Sequence, residues 1–254
     1  MIKIVRRRHG INLIECWFAK QPISENGIIN YVESQFDPSN GAGEEFRTLI
    51  SDLTQSEEEL LKRFSKNCLY KVKRAPREGV TVAFYCSKEL CDGKLIREFA
   101  DFFEAFWRSK GVDYQEKERC IETLTDYAQV GALAIGVAFV NDKPQVYHAY
   151  VMDKECARLL HSASQFRTQE DIPQTVVGFA NRYLHKESML YFKKLGLTTY
   201  DWGGAGLEEE VARITEFKES FGGTPRIYYN AEVVQGVLPK LVAKLSGLRH
   251  AKKE

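Results

Sequence analysis

Tyr200-Asp201-Trp202-Gly203-Gly204-Ala205-Gly206, followed after a helical stretch by Phe217-Lys218-Glu219-Ser220-Phe221-Gly222-Gly223, is the passage on which the reading of the fold turns. A short apolar run enters a glycine-rich turn, a helix follows, and a second glycine pair closes it, which predicts a strand–turn–helix–turn unit. At about 100° per residue, with Val211 as the origin, Ile214 lies at about 300°, Phe217 at about 240°, Phe221 at about 280° and Lys218 at about 340°. Lys218 therefore points with the apolar residues, while Glu208, Glu209, Glu216 and Glu219 supply a wet face. A lysine so placed reaches a cavity, pairs with a carboxylate or snorkels out. The plain alternative is a last-turn cation that complements the helix C-terminus. Asp201, just before the glycine turn, either orients or deprotonates an amine or caps the turn that follows it.

Upstream, Pro173 to Leu195 reads as a helix ending in Lys193-Lys194-Leu195-Gly196, a basic last turn and a glycine cap. Arg182 and His185 lie one turn apart on it, either meeting a phosphate or carboxylate or forming a surface pair. Gly131 to Val140 is nearly all apolar and reads as a buried central strand. Asn141-Asp142-Lys143-Pro144 then forms a hairpin turn to a partner strand over Gln145 to Val151. A helix is expected over Asp153 to Ser164, another over Tyr114 to Gln129, and an aromatic core helix carries Leu95 to Trp107. Thr54 with Glu57 reads as a capping box, and Val80 to Cys86 as a strand. The chain is expected to close with strand 198 to 202, helix 207 to 220, strand 225 to 230 and helix 232 to 247. In the first 50 residues only Ile11 to Ala19 suggests a strand.

The chain of 254 residues has 44% hydrophobic and 28% charged residues, the composition of an ordinary globular protein. With 36 basic and 35 acidic residues the net charge is +1, so no whole-protein drive toward polyanions exists. Local basic patches remain, Arg6-Arg7-Arg8-His9 and the stretch Lys71 to Arg77, in which Lys73, Arg74 and Arg77 could hold a diphosphate-linked acceptor or tRNA, or form a solvated loop. The six cysteines form no CxxC pair and read as reduced core thiols of a cytosolic protein. No signal peptide or membrane span is evident, so a cytoplasmic location is expected. His148 and His161 have no companions at metal spacing and read as structural. A GxGxxG after the first strand, a phosphate-binding P-loop, HExxH and GxSxG are all absent, which disfavours the dinucleotide fold and the familiar hydrolases.

Tyr-Asp-Trp-Gly-Gly, a gap, and Phe-Lys-x-x-Phe-Gly-Gly resemble the signature of the FemABX-type transferases, which have the acyl-CoA N-acyltransferase (GNAT) fold. Two upstream stretches are similar to that family's blocks. One runs from Leu53 to Leu61 and on to Lys71–Val80, and the other is Arg182-Tyr183-Leu184-His185 to Lys194-Leu195-Gly196. The resemblance spans roughly residues 50 to 230. It implies an α/β (α+β) fold with a mixed, mainly antiparallel central sheet and helices on both faces. It further implies a complete GNAT-like transferase domain over residues 81–254, after a partial GNAT-like half or sheet extension over residues 1–80, the latter as part of a homodimer.

By the same resemblance the protein is an N-acyltransferase that uses acyl-CoA or a similar donor. The acceptor is an amine on a small-molecule, nucleotide-linked or lipid-linked precursor of the cell envelope or surface polysaccharide. An aminoacyl-tRNA-dependent aminoacyltransferase and a non-catalytic binding module are the alternatives. Phe217 and Lys218 match the pair lining the reaction centre, with Lys218 stabilising the oxyanion; Asp201, from its own position before the glycine turn, is the third expected catalytic residue. Tyr200, Trp202, Gly203, Gly204, Arg182, His185, Lys73, Arg74, Arg77, Phe221 and Gly222 are the expected substrate-binding residues. No metal and no tightly bound cofactor is expected. The sequence departs from the family in lacking the glycines of the CoA pyrophosphate loop, where Gln165-Phe166-Arg167-Thr168-Gln169 stands instead.

Overall fold

The computed structural model describes residues 1–165, 171–206, 209–237, 239 and 240. Its strands are β1 (Ile2–Arg8), β2 (Ile11–Trp17), β3 (Gly27–Ser34), β4 (Glu44–Asp52), β5 (Val80–Cys86), β6 (Leu133–Val140), β7 (Lys143–Met152), β8 (Cys156–Ser164), β9 (Thr199–Gly204) and β10 (Thr224–Gln235). Its helices are α1 (Glu57–Lys62), α2 (Lys66–Arg74), α3 (Lys94–Ser109), α4 (Lys117–Gln129), α5 (Gln174–Lys194) and α6 (Glu209–Glu219).

The chain divides into two compact units. One is Met1–Arg47 with the described residues from Arg226 on, and the other is Thr48–Pro225. The change of unit expected near residue 80 lies inside the larger one. The smaller unit carries the order β1-β2-β3-β10, with β2 and β3 parallel and the other pairs antiparallel. Its core gathers Ile14, Cys16, Ile29 and Tyr31, one face of period-2 strands.

The larger unit carries the order β4-β9-β8-β7-β6-β5, antiparallel except for the β8–β9 pair. The β6–β7 turn is the hairpin read from the sequence: Asn141 (φ 51°) and Asp142 (φ 60°) both take the left-handed conformation that a two-residue turn requires. Along β7 neighbouring side chains face opposite ways. The Tyr147 ring packs against Phe99 and Phe102 of α3, whereas His148 bonds to Asn181 of α5. Helices thus cover both faces of a mixed, mainly antiparallel sheet, the fold class expected, and the apolar run of β6 follows from burial on both sides. The end of α5 also follows the sequence. Gly196 (φ 89°) donates to the Lys193 carbonyl and Leu197 donates to the Phe192 carbonyl, a Schellman closure.

Several expectations are corrected. The first 50 residues form three strands and most of a fourth, not one. Asp153 to Ser164 is not a helix: the Asp153 carboxylate accepts the N–H groups of Glu155 and Cys156 in a tight turn, and Cys156–Ser164 then pairs with β7 as β8. Residues 232–235 are not helical but extend β10, with Val233 opposite Ile29. The remainder of the expected helix to 247 lies largely outside the described residues, as do residues 166–169 of the expected pyrophosphate-loop region and residues 207 and 208. The capping box of α1 is Ser56–Glu59, because Asp52 Oδ1 engages the Thr54 N–H and hydroxyl in its own turn. The stretch Lys71 to Arg77 is not a loop; it is the end of α2 and a following 3-10 turn, Ala75–Glu78. All six cysteines are free thiols. No helix among the described residues is long and apolar enough to cross a membrane.

Candidate active site

The site is built where β9 ends. The parallel ladder between β8 and β9 stops at Arg158 and Asp201, although β8 runs on to Ser164. At that point β9 turns through Gly203 (φ 68°), where a Cβ would stand 2.7 Å from the Leu159 carbonyl oxygen, so only glycine fits. Gly222 is equally constrained, with φ 76° and a would-be Cβ 2.5 Å from the Arg63 carbonyl. The two glycine turns of the opening passage therefore bracket α6 with close backbone approaches.

Lys218 is 8% exposed, so the inward direction read from the helical angles is the direction it takes. Its Nζ donates to the carbonyls of Gly203 at 3.0 Å and Gly204 at 2.6 Å. The apolar face on which the angles relied is narrower than expected, since Ile214 is 51% exposed and the side chain of Val211 lies outside the described residues. Phe217 is partly buried. The guanidinium of Arg182 sits 4.7 Å from its ring centroid, a cation over an aromatic face. Arg182 Nε is buried and, among the described residues, has no hydrogen-bond partner. Burial pulls its affinity for a proton below the ordinary guanidinium range, against the Cys68 thiol, which favours the charged form.

Asp201 is fully buried. Its Oδ1 accepts from the Thr48 hydroxyl at 2.5 Å and from the Gly203 N–H at 2.8 Å, which is the geometry of a carboxylate holding the following turn. Burial pushes its pKa up, against Thr48, the Gly203 N–H, Arg158 and Lys218, which all favour the charged form. Oδ2 is buried without a hydrogen-bond partner among the described residues. The Gly203 carbonyl accepts from both Thr48 and Lys218, so Asp201, Thr48 and Lys218 meet at one bend of backbone.

His185 is 2% exposed, not half of a surface pair with Arg182. Its Nδ1 lies 2.8 Å from the Tyr200 hydroxyl, and its ring packs 4.1 Å from that of His148, 4.8 Å from Trp202 and 5.5 Å from Phe217. Burial first, then the neighbouring His148, Lys218 and Arg182, lower its pKa well below the usual histidine value, so the ring is neutral.

The expected substrate-binding residues separate into two groups. Arg182, His185, Gly203 and Gly204 gather with Phe217 and Lys218. Tyr200, Trp202 and Phe221, by contrast, are core side chains, Trp202 donating through Nε1 to Ser51, and Gly222 is pressed against Arg63. They form the wall behind the site. Lys73, Arg74 and Arg77 are exposed on the end of α2 and the turn after it, with Arg74 paired to Glu78, and none of the hydrogen bonds described joins them to Lys218 or Asp201. The sequence reading missed Thr48 and Arg158, which arrive through β4 and β8 with no local signal. No cluster of metal-ligating side chains occurs among the described residues.

No family model matches the chain, and no curated protein sequence matches it. Solved structures do. FemX aligns with a TM-score of 0.56 at 13% identity over 78% of this chain, which spans 63% of FemX, less than two thirds of its length. The C-terminal domain (DUF2156) of a putative lysylphosphatidylglycerol synthetase from Agrobacterium fabrum aligns with a TM-score of 0.50 at 12% identity, covering 87% of this chain and 72% of that one. L-PGS from Bacillus licheniformis gives 0.50 at 13% identity, covering 87% and 73%. At these identities the likeness establishes a shared fold.

Proposed function

We propose that the protein is a transferase that moves an acyl or aminoacyl group from an activated ester or thioester onto an amine, the acceptor being a nucleotide- or lipid-linked precursor of the cell envelope. The observation that carries this reading is Lys218, a nearly buried cation fixed by the Gly203 and Gly204 carbonyls at the end of β9, in a fold shared with FemX. When an amine attacks an ester or thioester carbonyl, negative charge develops on oxygen. A cation already in place in a water-poor site stabilises that charge without reorganisation. Phe217 shields the site on one side, and Arg182, stacked on it with an unpartnered Nε, suits a phosphate or carboxylate of the donor or acceptor. Attack is direct, with no acyl-enzyme. In this reading Asp201 acts through the turn it holds. Acyl-CoA and aminoacyl-tRNA are the two donor classes, both of the cytoplasm, and the exposed Lys73, Arg74 and Arg77 suit the phosphates of either.

A second reading has a specific observation behind it. The two carbonyl bonds of Lys218 also describe a structural pin between α6 and β9, as in a binding module without catalysis. Purified protein is incubated with acetyl-CoA or with aminoacyl-tRNA and an amino-sugar nucleotide or a lysyl-containing peptide, and amide formation is followed by mass spectrometry. Replacing Lys218 by Met is expected to lower the rate by about 10²- to 10³-fold, the cost of one oxyanion donor. An undiminished Lys218→Met rate would overturn the catalytic role, and a wild type inert with both donors would favour the binding module.

A further inference from the structure

We infer that His185 is the proton acceptor of the proposed transfer, its ring held in the Nδ1–H form by a buried ladder of hydroxyls so that the Nε2 lone pair is left for the attacking amine. This rests on the transferase reading above, but its premise, the tautomer, follows from counting protons along the ladder.

The ladder runs from helix α5 through two tyrosines. Ser188 Oγ lies 2.6 Å from the Leu184 carbonyl oxygen. A carbonyl cannot donate, so the Ser188 proton lies between them. Ser188 Oγ is 2.8 Å from the Tyr150 hydroxyl, and with its own proton committed it must accept from Tyr150. Tyr150, having given its proton to Ser188, is 3.2 Å from the Tyr200 hydroxyl, and that contact is a hydrogen bond only if Tyr200 donates. Tyr200 then has no proton left for His185 Nδ1 at 2.8 Å, so His185 must donate. The opposite choice, Tyr200 donating to His185, leaves the two phenol oxygens facing each other with no proton between them in a fully buried setting. One buried hydrogen bond is lost in that arrangement, which leaves a buried hydroxyl oxygen without its donor.

Both tyrosines hold their protons: burial drives Tyr150 and Tyr200 well above the usual phenol range. His148 has its Nδ1 3.0 Å from the Tyr150 hydroxyl and its Nε2 2.9 Å from Asn181 Oδ1, which only accepts, so Nε2 donates there and Nδ1 competes with Ser188 for the Tyr150 proton; in either case that proton is not available to Tyr200, and Tyr200 must still donate.

With Nδ1 donating to Tyr200, the Nε2 of His185 carries a lone pair. Among the described residues no group hydrogen-bonds to it. The ring centroid lies 4.8 Å from that of Trp202 and 5.5 Å from those of Phe221 and Phe217, the residue that precedes Lys218. The chemistry needs a base of modest strength there. As the N–C bond forms, the amine nitrogen becomes cationic and its proton acidic. That proton passes to Nε2, the C–O or C–S bond breaks with its electron pair on oxygen or sulfur, and the proton then moves to that leaving atom. Imidazolium keeps its Nδ1–H bond to Tyr200 throughout, so the ladder need not rearrange. Burial first, and then His148, Lys218 and Arg182, disfavour a lasting cation on the ring, which favours passing the proton on to the leaving atom.

The test reads the ring directly. In ¹⁵N-labelled wild-type protein, long-range ¹H–¹⁵N correlation should show a protonated, pyrrole-like Nδ1 and a pyridine-like Nε2 for His185, identified by its loss in His185→Asn. Tyr200→Phe, which removes the acceptor for Nδ1, should move the proton to Nε2. His185→Asn keeps an amide donor toward Tyr200 and lacks Nε2. In the transfer assay above it should lose about a hundredfold or more in kcat with KM little changed. An Nε2–H ring in the wild type overturns the inference. So does an undiminished His185→Asn in an assay where Lys218→Met is impaired, which would leave the transferase reading standing. A wild type inert with both donors removes the transferase reading and the acceptor role together, whatever the ring state.

Discussion

The two faces of the sheet in the larger unit start from adjacent residues of one strand and end in different chemistry. Below Tyr147, the face under α3 is a set of rings: Phe99 stacks on Phe103 at 5.5 Å, Phe103 meets Tyr114 and Trp107 edge-on, and His161 lies 4.8 Å from Phe103. Beside it, His148 opens the face under α5, where Tyr150, Tyr200, Ser188, Asn181 and His185 exchange hydrogen bonds in a largely buried setting. Rings gain from burial in proportion to area. Hydroxyls and imidazoles gain little net, and each unsatisfied one costs about 1–3 kcal/mol. A face built from them is a poor way to stabilise a sheet and a good way to fix protons, so the difference separates the part of the core that holds the fold from the part that serves the site.

The largest expected effect that bears on this division is Phe99→Ala. Phe99 is fully buried, and emptying its place should cost about 3–5 kcal/mol in denaturant-induced unfolding. The rate of transfer per folded molecule should not change. A fall of tenfold or more in that rate would show that the ring face serves the site as well and would break the comparison.

Tyr150→Phe comes next. It removes one donor and one acceptor from the middle of the ladder, so stability should fall by about 1–3 kcal/mol. Unlike Phe99→Ala, it should also change the site. Tyr200 loses its acceptor, turns its proton to His185 Nδ1, and leaves Nε2 protonated. A Tyr150→Phe variant with an unaltered His185 ring would sharpen the picture differently, showing that the 3.2 Å contact between the tyrosines does not direct the ladder.

How much of this was legible before the structure depends on how local the cause is. The hairpin at Asn141-Asp142, the Schellman stop at Gly196 and the inward turn of Lys218 each rest on a few neighbouring residues, and each was readable. Strand β8 was not, because pairing with β7 outweighs the helical spacing of Leu159 and Ala163, and the turn that starts it is closed by the Asp153 carboxylate. The end of β10 pairs with β3, a partner from the opposite end of the chain. Thr48 reaches Asp201 from 153 positions away. Tyr200, Trp202 and Phe221 next to glycine turns look alike in sequence whether they line a cavity or fill one. For His185 the sequence leaves a phosphate- or carboxylate-binding residue and a surface pair equally open, because what buries it, β9 and α6, is not in its own helix.

The last effect concerns acid. His148 and His161 have pKa values lowered to about 4, in both cases chiefly by burial, and His185 lies well below the usual value too. In the unfolded chain each titrates near 6.5. Between pH 6.5 and about 4 the unfolded state therefore binds protons that the folded state refuses, and stability must fall as pH falls through that window. Three such groups give a slope of up to about 4 kcal/mol per pH unit, and one group gives about 1.4. Above pH 6.5 both states are neutral at these sites and the contribution is flat. The two faces share this behaviour, one histidine among rings and two among hydroxyls, so acid alone does not tell them apart. Substituting His148 by Gln does. The amide can still reach Asn181 or Tyr150 but takes up no proton, so the slope should drop by about one proton's worth and the acid-unfolding midpoint should move to lower pH. The ring face, with His161 intact, should supply the same slope as before. Unfolding curves in urea at half-unit steps from pH 7 to 4.5 measure this. An unchanged slope in His148→Gln would mean that His148 already takes a proton in the folded state, and the neutral ladder beside it would then be wrongly assigned.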